Sequence, residues 1–101
     1  MTVGQLQVSE EALRALCTKW HILEIRAFGS VLEPNFGPNS DVDLIVDFEK
    51  GKSPGLIALE QLREDLSQLF GGRRIDLCTP KSLHPRLRQT VQPQSLVTAG
   101  A

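Results

Sequence analysis

The sequence predicts a mixed α/β (α+β) domain, with a small mixed β-sheet and helices packed on one face. Apolar runs of strand length alternate along the chain with longer segments in which apolar residues recur at helical spacing, and turn-forming residues separate them. The chain has 101 residues, of which 41% are hydrophobic and 23% charged. This size and composition are typical of one globular domain, spanning residues 1–101.

Charge and apolar content exclude several classes of protein. The net charge of −1 gives no general attraction to nucleic acid, so we expect no direct nucleic-acid binding. No apolar stretch approaches the roughly 20 residues of a membrane helix, and the N-terminus lacks the pattern of a secretory signal. We therefore expect a cytoplasmic protein without membrane contact. Cys17 and Cys78 lack metal-ligand spacing, and reduced thiols are the simplest prediction for both.

The first helix is predicted over residues 8–21. Ser9 is its predicted N-cap, and Glu10 and Glu11 suit the positive end of the helix dipole. Apolar residues at positions i, i+3, i+4 and i+7 form one face, which we expect to lie in the core. These residues are Leu13, Leu16, Cys17 and Trp20.

Two strands follow, at Ile22–Phe28 and Val42–Phe48, and a turn-rich loop over residues 31–40 joins them. The connection has no helical pattern and only about ten residues, which favours an antiparallel pair. The first strand ends at Gly29, where glycine permits a positive φ or a close approach of the backbone. Alternation places on one face Leu23, Ile25 and Ala27 of the first strand and Val42, Leu44 and Val46 of the second.

A second helix is predicted after a polar segment. Ser53 is its predicted cap, Pro54 occupies the first helical position, and Gly71-Gly72 ends it. Its apolar stripe is expected to face the core. The stripe comprises Leu56, Leu59, Leu62, Leu66, Leu69 and Phe70.

The remaining C-terminal part is predicted to hold a third strand over residues 73–78 and a short helix near residues 82–91. Residues 95–97 are expected to add an edge strand or to pack on the core. Leu96 and Val97 also hint at an exposed surface for a partner.

Two carboxylates, Asp41 and Asp43, begin the second strand. Side chains at i and i+2 point to the same face of a strand, with Cα atoms about 6.5 Å apart. Like charges at this range raise each other's pKa unless a cation lies between them, and Mg²⁺ is the expected cation where phosphate is also present. Asp76 is a third candidate because it interrupts the apolar third strand.

The Gly29-Ser30 turn completes a set of residues suited to phosphoryl or nucleotidyl transfer. Its backbone N–H groups and hydroxyl suit a triphosphate. Mg²⁺ ions held by Asp41 and Asp43 would stabilise the attacking and leaving oxygens of an in-line displacement. Asp76 would help to deprotonate the attacking hydroxyl. Taken singly, each of these residues is equally compatible with an ordinary turn or strand edge.

Other polar residues are assigned structural roles. Asp47 shares a face with Asp43 but lies further along the strand, and we expect it to be exposed to solvent. His84 is expected to be a surface or packing histidine. The basic residues of the range 81–88 are expected to form a solvated face, with contact to a nucleotide phosphate or an acidic partner as the alternative.

These motifs resemble the nucleotidyltransferase superfamily related to DNA polymerase β. The match consists of Gly29-Ser30, ten intervening residues, Asp41-Val42-Asp43, and Asp76 in a later strand. The phrase FGSVLEPNFGPNSDVDLIVDFE and the segment RRIDLCTPKSLHP resemble, more narrowly, the minimal nucleotidyltransferase (MNT) antitoxin family. The resemblance covers about residues 22–88.

The resemblance implies a nucleotidyltransferase palm with ATP as co-substrate and Mg²⁺ as cofactor. It also implies an antitoxin in a hetero-oligomer with a HEPN-domain ribonuclease toxin. Transfer of AMP to a tyrosine of the toxin (AMPylation) would silence its RNA cleavage. Gly29 and Ser30 match the nucleotide-binding turn of the family, and Asp41, Asp43 and Asp76 match its catalytic, metal-binding carboxylates.

Glu33 and Pro34 depart from the family pattern. Many members carry arginine and glycine there, and an acid at this place repels triphosphate. One alternative is therefore a catalytically weak binding module of the same fold that neutralises the toxin by occlusion. An enzyme acting on RNA or an antibiotic is disfavoured, because the chain offers no second domain to hold such an acceptor.

Overall fold

The computed structural model describes residues 1–34, 36–80 and 93–98. The helix predicted near residues 82–91 lies outside them, as do His84 and the basic residues of the range 81–88. No described helix is long and apolar enough to cross a membrane. The elements in chain order are β1 (Thr2–Val3), β2 (Leu6–Gln7), α1 (Glu10–Trp20), β3 (Ile22–Phe28), a 3₁₀ helix η1 (Gly29–Leu32), β4 (Val42–Phe48), α2 (Leu56–Leu69), β5 (Ile75–Cys78) and β6 (Gln94–Thr98).

The main sheet has four strands in the order β5-β4-β3-β6. β3 and β4 are antiparallel, as predicted from their short connection, and β6 pairs antiparallel with the other edge of β3. β5 runs parallel to β4, because α2 carries the chain back to the end of the sheet where β4 begins. This mixed sheet with two helices confirms the predicted α/β (α+β) class.

Both helices cover the same face of the sheet. Their core residues share one buried cluster with every second residue of β4, and Cys17 lies in this cluster as a free thiol, as predicted. The alternate residues of β4 therefore point to the opposite face, and two of them are Asp43 and Asp47. The sheet residues in the cluster include Ile25, Ala27, Val42, Leu44, Val46 and Ile75. The acidic side chains of β4 thus lie on the face that the helices leave uncovered.

Helix α1 forms as predicted. The N–H of Ala12 donates to Ser9 Oγ at 3.1 Å, which confirms the N-cap. The helix ends at His21, whose backbone is left-handed with φ 57°. Trp20 is half-buried against the core, and its Nε1–H donates to Asp65 Oδ2 of α2 at 3.3 Å. The indole therefore packs at the edge of the core and joins the two helices.

Strand β3 departs from the predicted alternation at its start. Its register against β4 shifts between Ile22 and Glu24, which marks a β-bulge. Leu23, expected on the core face with Ile25, is 40% exposed, whereas Ile22 is buried. The prediction for Leu23 is therefore wrong, because the extra residue of a bulge reverses the alternation locally.

Helix α2 begins later than predicted. Gly55 is its N-cap and no side chain caps it, so Ser53 is not the cap and Pro54 is not the first helical residue. Leu56, predicted in the apolar stripe, is 84% exposed. It lies about 120° around the helix from Leu62, because successive residues are about 100° apart. The other predicted stripe residues are buried or partly buried: Leu59, Leu62, Leu66, Leu69 and Phe70.

The C-terminal strands confirm the predicted sheet but correct its surface. β6 is the predicted edge strand. Leu96 and Val97 pack into the core with 5% and 3% exposure, so the prediction of a partner surface there is wrong. β5 begins at Ile75 rather than Arg73, and the carbonyl of Arg73 accepts the Ser67 hydroxyl at 2.6 Å.

A short N-terminal hairpin was not predicted, because its two-residue strands are too short to show periodicity. β1 and β2 pair antiparallel around Gly4, which has φ 60°. Gly4 packs so closely on the carbonyl oxygen of Val31 in η1 that a Cβ would collide with it. Gln5 Nε2 donates to the carbonyl of Pro34 at 2.9 Å. The hairpin therefore supports the connection between β3 and β4.

Candidate active site

The candidate site begins where β3 ends, at Gly29. This residue has φ 74°, and a Cβ at its position would collide with the carboxylate of Asp43. A side chain at position 29 would therefore be strained by the backbone conformation and would displace the Asp43 carboxylate. The chain continues directly into η1 rather than into the open loop that the sequence suggested. The predicted close approach at Gly29 is present, and the approaching group is the acid of the neighbouring strand.

The three predicted carboxylates come from β4 and β5. Asp43 lies opposite Phe28 of β3 on one side and opposite Asp76 of β5 on the other. The side chains of Asp43 and Asp76 are within hydrogen-bond distance, and Asp41 is near enough to act electrostatically on Asp43. The structure therefore brings together the whole set selected from the sequence: Gly29, Ser30, Asp41, Asp43 and Asp76.

The charges of this cluster oppose one another. The pKa of Asp43 is raised to about 6, first by burial, then by repulsion from Asp76 and by the hydrogen bond that protonated Asp43 donates to Asp76, and last by repulsion from Asp41. The backbone N–H of Ser30 acts in the other direction by donating to the Asp43 carboxylate. Near neutral pH the cluster thus holds several negative charges at close range, and a bound cation would relieve their repulsion.

Ser30 connects the turn to the acids. Its backbone N–H donates to the carboxylate of Asp43, and its Oγ–H donates to the carbonyl of Asp41 at 3.3 Å. Both predicted phosphate-binding donors of Ser30 therefore hold the acidic residues in this structure. The hydroxyl bond is long for an O–H···O contact, so a phosphate oxygen can take over this donor at little cost.

The donor set fits Mg²⁺ by its chemistry, because three carboxylates are hard oxygen ligands and they repel one another. Within residues 1–34, 36–80 and 93–98, no three His, Cys, Asp or Glu side chains form a ready-made metal-holding group. The metal roles of Asp41, Asp43 and Asp76 therefore stay predictions.

Two other acids lie near the site. Glu33 is exposed at the end of η1, and its backbone N–H donates to the carbonyl of Ser30 at 3.0 Å. Its side chain therefore starts beside the Gly29-Ser30 turn. Asp47 is half-buried rather than exposed as predicted, and it lies opposite Glu24, four residues along the strand from Asp43. Asp47 is therefore outside the cluster.

Arg73 holds the loop before β4, and this role was not predicted from the sequence. Arg73 Nη1 donates to the carbonyls of Gly37 and Ser40 at 2.9 and 3.3 Å. Its guanidinium carbon lies 4.5 Å from the ring centre of Phe36. An arginine just before the strand of Asp76 was visible in the sequence. Its contacts could not be predicted, because they join residues 33 and 36 positions apart.

Comparison with known families decides the class of protein. Residues 9–94 match the model of the nucleotidyltransferase domain. The chain belongs to the nucleotidyltransferase family. The matched range includes the Gly29-Ser30 turn and all three carboxylates of the cluster. The predicted assignment as a nucleotidyltransferase enzyme is therefore confirmed.

Individual relatives agree with this assignment. This nucleotidyltransferase is 36% identical over 78 residues to the protein adenylyltransferase MntA of Thermococcus cleftensis, which covers 77% of this chain and 76% of the relative. A solved minimal nucleotidyltransferase is 36% identical, with a TM-score of 0.61 and 79% of each chain covered. A chain of a solved toxin–antitoxin complex with AMP-PNP has a TM-score of 0.68, covering 92% of this chain and 76% of that chain. At 23% identity, the last comparison shows a shared fold alone. The resemblance to minimal nucleotidyltransferases is confirmed.

Proposed function

We propose that this nucleotidyltransferase is an antitoxin that acts as a protein adenylyltransferase. ATP is the nucleotide substrate, and the acceptor is a tyrosine of a HEPN-domain ribonuclease toxin in the same cytoplasm. The observation that carries the proposal is the meeting of Asp41, Asp43 and Asp76 beside the Gly29-Ser30 turn. The Thermococcus relative, named a protein adenylyltransferase, and the toxin–antitoxin complex of similar fold support the choice of acceptor and partner.

The proposed reaction is a displacement at the α-phosphorus of ATP. The tyrosine oxygen forms a bond to this phosphorus, and the bond from the phosphorus to the oxygen leading to the β-phosphate breaks, so pyrophosphate leaves. Asp76 accepts the phenolic proton and passes it to water. Mg²⁺ held by Asp41 and Asp43 would neutralise phosphate charge and stabilise the attacking and leaving oxygens. Ser30 would turn its hydroxyl from the Asp41 carbonyl to a phosphate oxygen.

The position of the acids suits a protein acceptor. Asp43 lies on the face of the sheet opposite to the helix-covered core, so a tyrosine of a second protein would enter from that side. This small chain relies on the partner to supply most of the acceptor site. We therefore expect a hetero-oligomer of antitoxin and toxin.

Glu33 favours a second candidate function. The residue is exposed beside the turn that would receive the triphosphate, and its charge weakens binding of a polyanion. The alternative is a binding module that covers the active surface of the toxin without modifying it. The two candidates predict different products, so one experiment separates them.

The test measures the intact mass of a HEPN-domain toxin after incubation with this chain, ATP and Mg²⁺. A gain of one or more AMP units is expected with the wild type and with Asp47→Asn, a matched control on the same strand. The double variant Asp41→Asn/Asp43→Asn should give no gain. The absence of a gain with wild type, together with a stable complex and blocked RNA cleavage, would overturn transfer in favour of occlusion.

A further inference from the structure

We infer that Arg73 is a positioning residue that holds Asp41 in the geometry needed for metal binding. The inference rests on the proposed function for the metal-binding role of Asp41 and for the reaction that this residue serves. Its structural basis is a set of contacts that join the end of α2 to the loop before β4. Arg73 lies in the short segment that joins α2 to β5.

The backbone of Arg73 is anchored before its side chain reaches the loop. Its carbonyl accepts the hydroxyl of Ser67 at 2.6 Å, and the N–H of Gly72 donates to the carbonyl of Ser67 at 2.8 Å. The arginine therefore projects from a segment fixed to the last turn of α2. This anchoring lowers the entropy cost of placing a long side chain in one position.

The guanidinium of Arg73 closes on a compact turn. Nη1 donates to the carbonyls of Gly37 and Ser40, and the guanidinium stacks on Phe36, which is itself buried. The turn is closed internally as well, because the N–H of Ser40 donates to the carbonyl of Gly37 at 3.2 Å and the N–H of Gly37 donates to Ser40 Oγ at 3.1 Å. Bonds from a charged donor are roughly twice as strong as neutral ones, so Arg73 is the strongest of these restraints.

The residues on either side of Asp41 are held by Arg73 and Arg74, which are consecutive in the chain. The residue before it, Ser40, is bound by the side chain of Arg73. The residue after it, Val42, donates its N–H to the carbonyl of Arg74 at 2.9 Å. Asp41 itself lies before β4 begins and has no place in the strand pairing of the sheet. Its position near Asp43 therefore depends on these two flanking contacts and on the Ser30 hydroxyl, which donates to the Asp41 carbonyl at 3.3 Å. The Arg73 contact holds the side that precedes Asp41.

This placement has a measurable consequence for metal affinity. Asp41, Asp43 and Asp76 repel one another, so an unrestrained Asp41 loop would move away from the other two acids. Arg73 opposes this movement through its hydrogen bonds to the carbonyls of Gly37 and Ser40. Loss of the guanidinium should therefore weaken Mg²⁺ binding more than ATP binding.

The test compares Arg73→Met and Arg73→Lys with Arg63→Met, a matched control at an exposed arginine of α2 that pairs with Glu60. Titration calorimetry of Mg²⁺ into the chain, and the Mg²⁺ concentration for half-maximal AMP transfer, are measured for each. Arg73→Met should raise the dissociation constant for Mg²⁺ and the Mg²⁺ concentration for half-maximal AMP transfer about tenfold each. This change corresponds to the loss of one charge-assisted hydrogen bond. Arg73→Lys keeps the charge without the planar donor group, and we expect an intermediate shift. Arg63→Met should match wild type.

The outcomes separate this inference from the proposed function. A purely structural role for Arg73 would lower the maximal rate and leave the Mg²⁺ midpoint unchanged, and that result would overturn the inference. If Arg73→Met does not fold, Arg73→Lys alone decides between a shifted and an unshifted midpoint. If wild type transfers no AMP but Arg73 variants bind Mg²⁺ more weakly, the positioning role stands and the proposed reaction falls.

Discussion

The two connections that flank β4 are built in opposite ways, although both are rich in glycine and proline. The connection before β4 receives hydrogen bonds from distant side chains, those of Gln5 and Arg73, and it packs on the N-terminal hairpin. The connection after β4 is largely exposed, and its first residue, Glu49, donates to the carbonyl of His21 at 2.8 Å. Contacts with the rest of the fold, rather than composition, therefore distinguish the connection that carries the chemistry.

The largest effect should come from matched glycine substitutions in the two connections. Gly29 and Gly51 have similar backbone conformations, with φ 74° and 79°. Gly29→Ala adds a collision with the Asp43 carboxylate, whereas a Cβ at Gly51 meets nothing within 4 Å. We expect Gly29→Ala to abolish AMP transfer and to lower the free energy of unfolding by about 3 kcal/mol, against about 1 kcal/mol for Gly51→Ala with activity retained. Urea denaturation measures the free energy of unfolding of each variant, and the mass assay measures its AMP transfer. Equal losses for Gly29→Ala and Gly51→Ala would contradict the contrast between the two connections.

A smaller effect should reveal the electrostatic cost of the acidic cluster where the first connection enters β4. The pKa of Asp43 is raised to about 6 in the folded state, so the folded chain binds more protons than the unfolded chain between about pH 4 and 6. Stability is therefore lost as the pH rises through this window. Asp43→Asn should be more stable than wild type by about 1–2 kcal/mol at pH 8 after allowance for solvent screening, and the gain should shrink toward pH 4.

Denaturation curves at several pH values, without Mg²⁺, measure this difference, with Asp47→Asn as the control on the same strand. Added Mg²⁺ should stabilise wild type and leave Asp43→Asn nearly unchanged. A constant difference between wild type and variant across the pH range would show that the repulsion at Asp43 does not affect folding.

The smallest effect is expected at the end of the second connection. Gly55 is the N-cap of α2, with an extended backbone that other residues adopt and with open space at its Cβ position. Gly55→Ser should add the missing cap and stabilise the fold by about 0.5–1 kcal/mol, with AMP transfer unchanged. Thermal unfolding checks the gain. A loss of activity would mean that the second connection also bears on the site.

Local patterns were sufficient to predict most of the described fold, and the five residues selected from them as site candidates lie together in the structure. Alternation and turn residues located β3 and β4, and the short connection between them predicted their antiparallel pairing. The register that places Asp76 directly opposite Asp43 was not predictable from the sequence, because the register of a parallel pair depends on how the crossover helix packs. The error at Leu23 has a local cause, a bulge, that apolar spacing does not encode. The error at Leu56 was avoidable, because its spacing from Leu62 places it about 120° around the helix. The role of Arg73 depends entirely on contacts between distant parts of the chain.

The N-terminal hairpin has a consequence for how the site responds to distant change. Gly4 and Gln5 contact the segment that follows the Gly29-Ser30 turn, although neither residue belongs to the acidic cluster. Local opening of the hairpin would release η1, and a ligand that orders η1 would in turn protect the hairpin from opening. We therefore expect hydrogen exchange in the first eight residues to slow when a ligand orders η1, which would make this segment a reporter of binding at the candidate site.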